Sequence, residues 1–305
     1  MNKQDRTKIE ALVISVAAIN QRGPFNFVLF QPLCHECCQL LLCGIVFPEL
    51  CYLLESFVED FPEVGQHLAI NYELCVKAVF PTLSTTDYPT ITAVVVLLGV
   101  VLSIEATDQK RAVDILFAAG LLDKIDVILN QEDANVLPAK KDSCWLLATI
   151  AFFGYGTDII VQHWSLVQSM IREMHTNSIA VVSTVLLAIV IDIGDVQTTI
   201  ALVEAGCLPA LCKALGNCEP EEQAICLETI EGLLKTGKKL AETREELLFN
   251  PFALIVTECG GLTNIQKMSW PLAKGIVDDY FGQSYEEYLV RRRGLNTKSA
   301  RHTNS

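Results

Sequence analysis

The chain has 305 residues, 51% of them hydrophobic, with a mean hydropathy of +0.35 and a formal net charge of −13. That is material for two average domains or one repeat array, and the acidic balance argues against a nucleic-acid surface. The acid excess is concentrated in the body: residues 291–305 hold Arg291, Arg292, Arg293, Lys298 and Arg301 and no acid, leaving 18 bases against 36 acids in residues 1–290, a balance that suits basic partners.

The N-terminus, MNKQDRTKIEALVISVAAIN, has a charged start and an apolar stretch but no small-residue cleavage site, so it reads as a first soluble helix rather than a leader. Next come Cys34-His35-Glu36-Cys37-Cys38, Cys43 and Cys51. The C-x-x-C spacing could seed a zinc site, but no second pair with structural-zinc spacing follows, and core-facing cysteines on a helix are the expected reading. The apolar runs Ile91–Ile104 and Ile179–Ile191 fall short of the roughly 18–20 residues that span a bilayer, and they read as helices buried on all sides. Cys75, Cys144, Cys207, Cys212 and Cys226 lie within apolar helical stretches, where reduced cysteine acts as a small core residue. His163-Trp164 reads as a helix end. No G-x-S-x-G, P-loop or H-E-x-x-H pattern occurs, so no catalytic residue, metal or cofactor is expected. The tail RRRGLNTKSARHTNS is polar and basic, and a disordered segment is expected over 286–305.

Apolar residues recur at spacings of three and four almost throughout, and no strand-like alternation persists. Three breaks resemble one another: Ala118-Ala119-Gly120-Leu121-Leu122, Glu204-Ala205-Gly206-Cys207-Leu208 and Glu258-Cys259-Gly260-Gly261-Leu262. In each, the first glycine ends one helix and an apolar helix follows. Gly120 and Gly206 are 86 residues apart, twice 43, and a middle copy falls near residue 163, where VQHWSLVQSMI has the pattern without the glycine. A period near 40–47 belongs to armadillo and HEAT arrays. The expected fold is all-α, a right-handed armadillo-repeat superhelix of about seven repeats over residues 1–285, in which each unit buries its apolar faces against its neighbours.

Residues 141–235 resemble the importin-alpha family, adaptors for basic nuclear-localisation signals. Lys141-Asp142-Ser143-Cys144-Trp145-Leu146-Leu147-Ala148-Thr149 is similar to that family's K-E-A-C-W-T-I-S-N, and Ile200–Leu211 to I-K-Y-L-V-E-Q-G-C-I-K-P-L. Asn250-Pro251-Phe252, and Ile276-Val277-Asp278-Asp279-Tyr280-Phe281-Gly282 beside I-E-x-Y-F, extend the likeness. Upstream, Pro89-Thr90-Ile91-Thr92 with Leu97-Leu98-Gly99, and Cys51-Tyr52, stay in register. The resemblance implies the family's fourth to tenth repeats, without its importin-beta-binding segment.

It also implies a cargo groove built from Trp at i and Asn at i+4 on each third helix. The amide clamps the cargo backbone, and the indole takes the stem and charge of Lys or Arg. The corresponding pairs here are Leu12/Val16, Tyr52/Ser56, Val96/Val100, Trp145/Thr149 and Val185/Ile189. Trp145 with Thr149, and more weakly Tyr52 with Ser56, are the expected cargo-contacting residues; the other three pairs are degenerate. Losing several amide contacts, each worth about 1 kcal/mol net, costs orders of magnitude in affinity. The resemblance therefore implies an adaptor in nuclear protein import, shuttling between cytoplasm and nucleus, with basic-signal cargo and the recycling exportin as partners. Direct importin-beta binding, nucleic acid and membrane are not expected. The alternative is a repurposed armadillo scaffold that holds one dedicated protein partner through a more apolar groove.

Overall fold

The computed structural model describes residues 27–282, except 106, 178, 244–246 and 248. Leu12, Val16 and the tail at 286–305 lie outside these residues. Among the described residues there is no strand, in agreement with the helical period.

The helices are α1 (Phe27–Leu42), α2 (Pro48–Asp60), α3 (Pro62–Ile70), α4 (Tyr72–Val79), α5 (Tyr88–Ser103), α6 (Gln109–Ala118), α7 (Leu121–Leu129), α8 (Leu137–Phe152), α9 (Thr157–Gln162), α10 (Trp164–Asn177), α11 (Val182–Ala188), α12 (Val196–Glu204), α13 (Cys207–Leu215), α14 (Pro220–Thr243), α15 (Pro251–Glu258), α16 (Gly261–Gln266) and α17 (Pro271–Phe281). A π-helical turn, Ile189–Ile193, continues α11. In chain order, α3–α5, α6–α8, α9–α11, α12–α14 and α15–α17 each form a set of two short helices and a third. The third helix is the longest member in most sets.

Boundaries follow local chemistry. Gly120, Gly206 and Gly260 have φ of +87°, +90° and +80° and stand immediately before α7, α13 and α16. A left-handed residue lets the chain reverse between two helices without the Cβ penalty other residues carry. At the expected middle copy the same junction is made without glycine: His163 closes α9 and α10 begins at Trp164. Asp87, Asp108 and Asp195 cap α5, α6 and α12 by accepting from the backbone N–H of Thr90, Arg111 and Thr198.

The contacts divide the chain, in sequence order, into two compact units after Ser169. In the first, α5 packs against α2 on one flank and α8 on the other. This explains a sequence that propensity alone disfavours. α5 carries five valines, each costing up to about 0.7 kcal/mol in a helix relative to alanine. Each buried valine or leucine side chain returns roughly 1.5–3 kcal/mol, so burial wins. Val94, Val95, Leu97, Leu98, Val101 and Leu102 are all at most 3% exposed. In the second unit α14 takes the equivalent place, packing on α11, α13, α15 and α17.

Among the described residues no single helix is long and apolar enough to cross a membrane. Cys75, Cys144, Cys207, Cys212 and Cys226 are buried as expected, and so are Cys34, Cys37, Cys38 and Cys51. Burial pushes the thiols of Cys37 and Cys38 up to about 12, so they are protonated core side chains.

Candidate protein-binding face

The packed helices α2, α5 and α8 bring three of the five sequence-derived pairs together within the first unit. Tyr52 and Ser56 are exposed on α2; Val96 and Val100 are half-buried on α5; Trp145 and Thr149 are half-buried on α8. In each pair the i, i+4 spacing puts both residues on one helix face. Tyr52 is 42% exposed, so its ring is available to a ligand.

Trp145 has a seat. A Cβ on Gly99 of α5 would overlap Cζ3 of its indole and lie 2.8 Å from Cη2. The missing side chain is the space the ring occupies, so one edge of the indole is packing surface and the rest is left half-exposed. Thr149 does less than expected: its Oγ1 donates to the Trp145 carbonyl at 3.0 Å, so its one donor is spent within α8. Val96 and Val100 add apolar surface between the aromatics.

Val185 and Ile189 do not belong to any such face. Both are 0% exposed, inside the second unit. The half-exposed i, i+4 pair on this helix is Thr184 and Ala188, one residue earlier in each case. A one-residue shift turns a helix face by about 100°, and the run ValLeuLeuAlaIleVal is too uniformly apolar for hydrophobicity to reveal it.

Acids not expected from the sequence frame the face. Glu55 is pushed up from the usual carboxylate range by burial and by repulsion from Glu59 and Asp142. Asp142 is also pushed up, by its half-burial, with Lys141 acting against the shift. The Tyr52 hydroxyl is raised by burial, then by Asp142 and Glu55. Asp142 of α8 and the acids of α2 therefore share one negative field beside Tyr52. The sequence did carry a signal for this. Asp142, Trp145 and Thr149 stand at i, i+3 and i+7, and so do Tyr52, Glu55 and Glu59, which places each trio along one helical stripe.

The other features lie elsewhere. A cavity of about 620 Å³ is lined by Val76 and Lys77 of α4, Phe80 just beyond its end and Ile115 of α6, and includes none of the expected residues. His163 is at a helix end, its Nδ1 3.2 Å from the Ile159 carbonyl and its Nε2 3.9 Å from Asp123.

No protein-family model matches the chain. Over 100 residues it is 28% identical to importin subunit alpha-4 of Arabidopsis thaliana, a stretch that is 30% of this chain and 19% of that relative. Computationally designed armadillo repeat proteins for modular peptide recognition match at a TM-score of 0.56 and 16% identity, covering 80% of this chain and 98% of the design. A designed armadillo repeat protein in complex with the peptide (KR)4 matches at a TM-score of 0.50 and 16% identity, covering 74% and 87%. At such identities the likeness concerns the fold, and together with the three-helix sets it establishes an all-helical armadillo-repeat solenoid.

Proposed function

We propose that this chain is a protein-binding armadillo scaffold that takes a lysine- or arginine-bearing segment of its partner across the face formed by α2, α5 and α8. The observation that carries the reading is the pairing of Trp145 and Tyr52 with the carboxyls of Asp142 and Glu55, both held above the usual carboxylate range, chiefly by burial. A cationic side chain laid there would pack its stem on the rings and relieve the repulsion among the carboxylates. The likeness over 100 residues to an importin subunit alpha supports the finer reading: an adaptor in nuclear protein import, moving between cytoplasm and nucleus with basic-signal cargo. The recycling exportin is a second partner under this reading.

A second reading rests on the polar donors. Thr149 is internally bonded, and valine stands at both α5 positions, so the backbone of an extended peptide finds few partners on this face. That favours a dedicated partner held mainly by side chains.

Titration of the purified chain with a bipartite basic peptide separates the two. The adaptor reading expects micromolar affinity that weakens as salt is raised and that falls in both Trp145→Ala and Asp142→Asn. Absence of binding at about 100 µM peptide overturns basic-signal carriage on this face.

A further inference from the structure

The cavity of about 620 Å³ in the first unit lies where two consecutive helix sets meet. On one side are α4 and the 3₁₀ turn Phe80–Ser84, and on the other α6 and α7. Its size falls among sites for small organic ligands, about 300–1,000 Å³. The walls are largely apolar: Val76 is buried, and Phe80 and Ile115 are half-buried.

The charged groups that line it do not cancel. Glu73 is already matched, with Lys77 Nζ 2.7 Å from Oε1 and Arg111 Nη2 3.8 Å from Oε2. Lys124 is not. Its half-buried side chain donates to the Ser84 hydroxyl at 2.6 Å, and among the described residues it has no carboxylate within ion-pair distance. The acids of its own helix are turned to other groups. Asp123 lies 3.9 Å from His163, and Asp126 accepts from Asn130 and Ser169 at 2.9 and 2.8 Å. Ser84 accepts from Lys124, so its own O–H proton is left to be donated, and it has no acceptor among the described residues. One uncompensated cation and one spare hydroxyl donor thus stand side by side in an apolar hollow, in a chain whose net charge is −13.

We propose that this cavity binds a small amphipathic monocarboxylate, an arylalkanoic or branched aliphatic acid, with its hydrocarbon on Val76, Phe80 and Ile115 and its carboxylate accepting from Lys124 and Ser84. Each carboxylate oxygen takes one of the two donors, and a charge-assisted bond to the ammonium is the stronger of them. A cation is disfavoured, because the one carboxylate lining the cavity is already neutralised and Lys77 and Lys124 repel it. A dianion finds one uncompensated charge where it needs two. A neutral ligand covers the apolar walls but gains nothing from the charge of Lys124. The bound acid touches two consecutive helix sets, so the stability of the first unit rises with its concentration. The lining shares no residue with the α2–α5–α8 face, so this site stands apart from the basic-segment reading.

The test is calorimetric titration of the full chain with phenylbutyrate, with phenylbutanol and phenylbutylamine as its neutral and cationic counterparts. The acid is expected to bind with a dissociation constant of about 1 mM or tighter that weakens with salt, and the alcohol and amine at least about tenfold more weakly. Lys124→Met, which keeps an apolar stem, lowers affinity for the acid by about tenfold or more and leaves the weaker alcohol binding as it was. Ser84→Ala lowers affinity for the acid about threefold. Amide hydrogen exchange under saturating acid gains protection in α4, α6 and α7 and not in α13–α17. No saturation by about 10 mM acid, an alcohol that binds as tightly as the acid, full affinity in Lys124→Met, or protection gained only outside α4, α6 and α7 overturns the proposal. If Lys124→Met fails to fold, the difference between acid and alcohol on the unaltered chain, together with Ser84→Ala, decides.

Discussion

At the scale of single residues, Gly99 and Trp145 are one feature contributed by two helices. Alanine for an interior helical glycine ordinarily stabilises by roughly 1 kcal/mol. Here the added Cβ meets the indole, and overpacking of that kind costs about 1–3 kcal/mol, so the sign reverses. Gly99→Ala should lower stability in denaturant titration. In the Trp145→Ala background the same change should be neutral or stabilising, because the obstructing ring is gone. A coupling energy below about 0.5 kcal/mol in that double-mutant cycle would contradict the packing described. Asp142 makes a different prediction. Its carboxyl and that of Glu55 are held up in the folded chain, so the unfolded chain releases these protons first. Their contribution to stability is therefore present at low pH and is lost as pH rises from about 4 through the folded values. Asp142→Asn should stabilise the first unit at neutral pH, flatten this part of the pH profile, and weaken a basic peptide by about three- to tenfold. A variant that gained stability while keeping full peptide affinity would remove Asp142 from the binding face.

At the scale of elements, much of the architecture was legible from punctuation. The glycines at 120, 206 and 260 mark real helix junctions because each needs a positive φ, and few residues other than glycine adopt it. The faces of the helices were legible only where polar residues broke the apolar run. α2 and α8 carry Glu55, Glu59, Asp142 and Thr149, and their surface stripes can be read directly. α11 interrupts its aliphatic run only with Ser183, which is buried, and Thr184; its outward pair lies one position before Val185 and Ile189, which are buried. The seat of Trp145 on Gly99 was invisible, since it depends on two helices in different repeats. Asn250-Pro251-Phe252 shows the reverse: a short motif whose reason appears only in the fold. Buried Asn250 accepts from the N–H groups of Phe252 and Ala253 at 3.0 and 3.4 Å, capping α15, and its Nδ2 donates to the Leu234 carbonyl of α14 at 2.9 Å. Gly237 leaves room for it, because a Cβ there would overlap Asn250 Oδ1. Asn250→Ala loses the cap and the inter-helix bond, and should cost about 2–3 kcal/mol in the second unit; Asn250→Asp, which keeps the cap but not the Nδ2 donor, should cost less. Equal losses in the two variants would show that the tie to α14, not the cap, carries the stability.

At the scale of the whole chain, a repeat array distributes stability among nearest neighbours, so a local defect need not unfold everything at once. The packed helices α2, α5 and α8 belong to the first unit, and α14 with α11 and α17 to the second. Each cluster is built from helices that follow one another closely in sequence. Amide hydrogen exchange can therefore read the array piece by piece. Gly99→Ala strikes the central helix of the first unit, so its helices should lose protection by roughly tenfold or more, matching the lost free energy at about 1.4 kcal/mol per decade. Amides of α13–α17 should keep their protection within about threefold. Asn250→Ala should give the complementary pattern, with α14 and α15 losing protection while α2, α5 and α8 hold theirs. Because the proposed binding face lies wholly in the first unit, basic-peptide affinity should fall in Gly99→Ala and survive in Asn250→Ala. If either substitution lowered protection uniformly from α2 to α17, the chain would unfold as a single cooperative body. Binding at the α2–α5–α8 face would then report on the stability of the entire array.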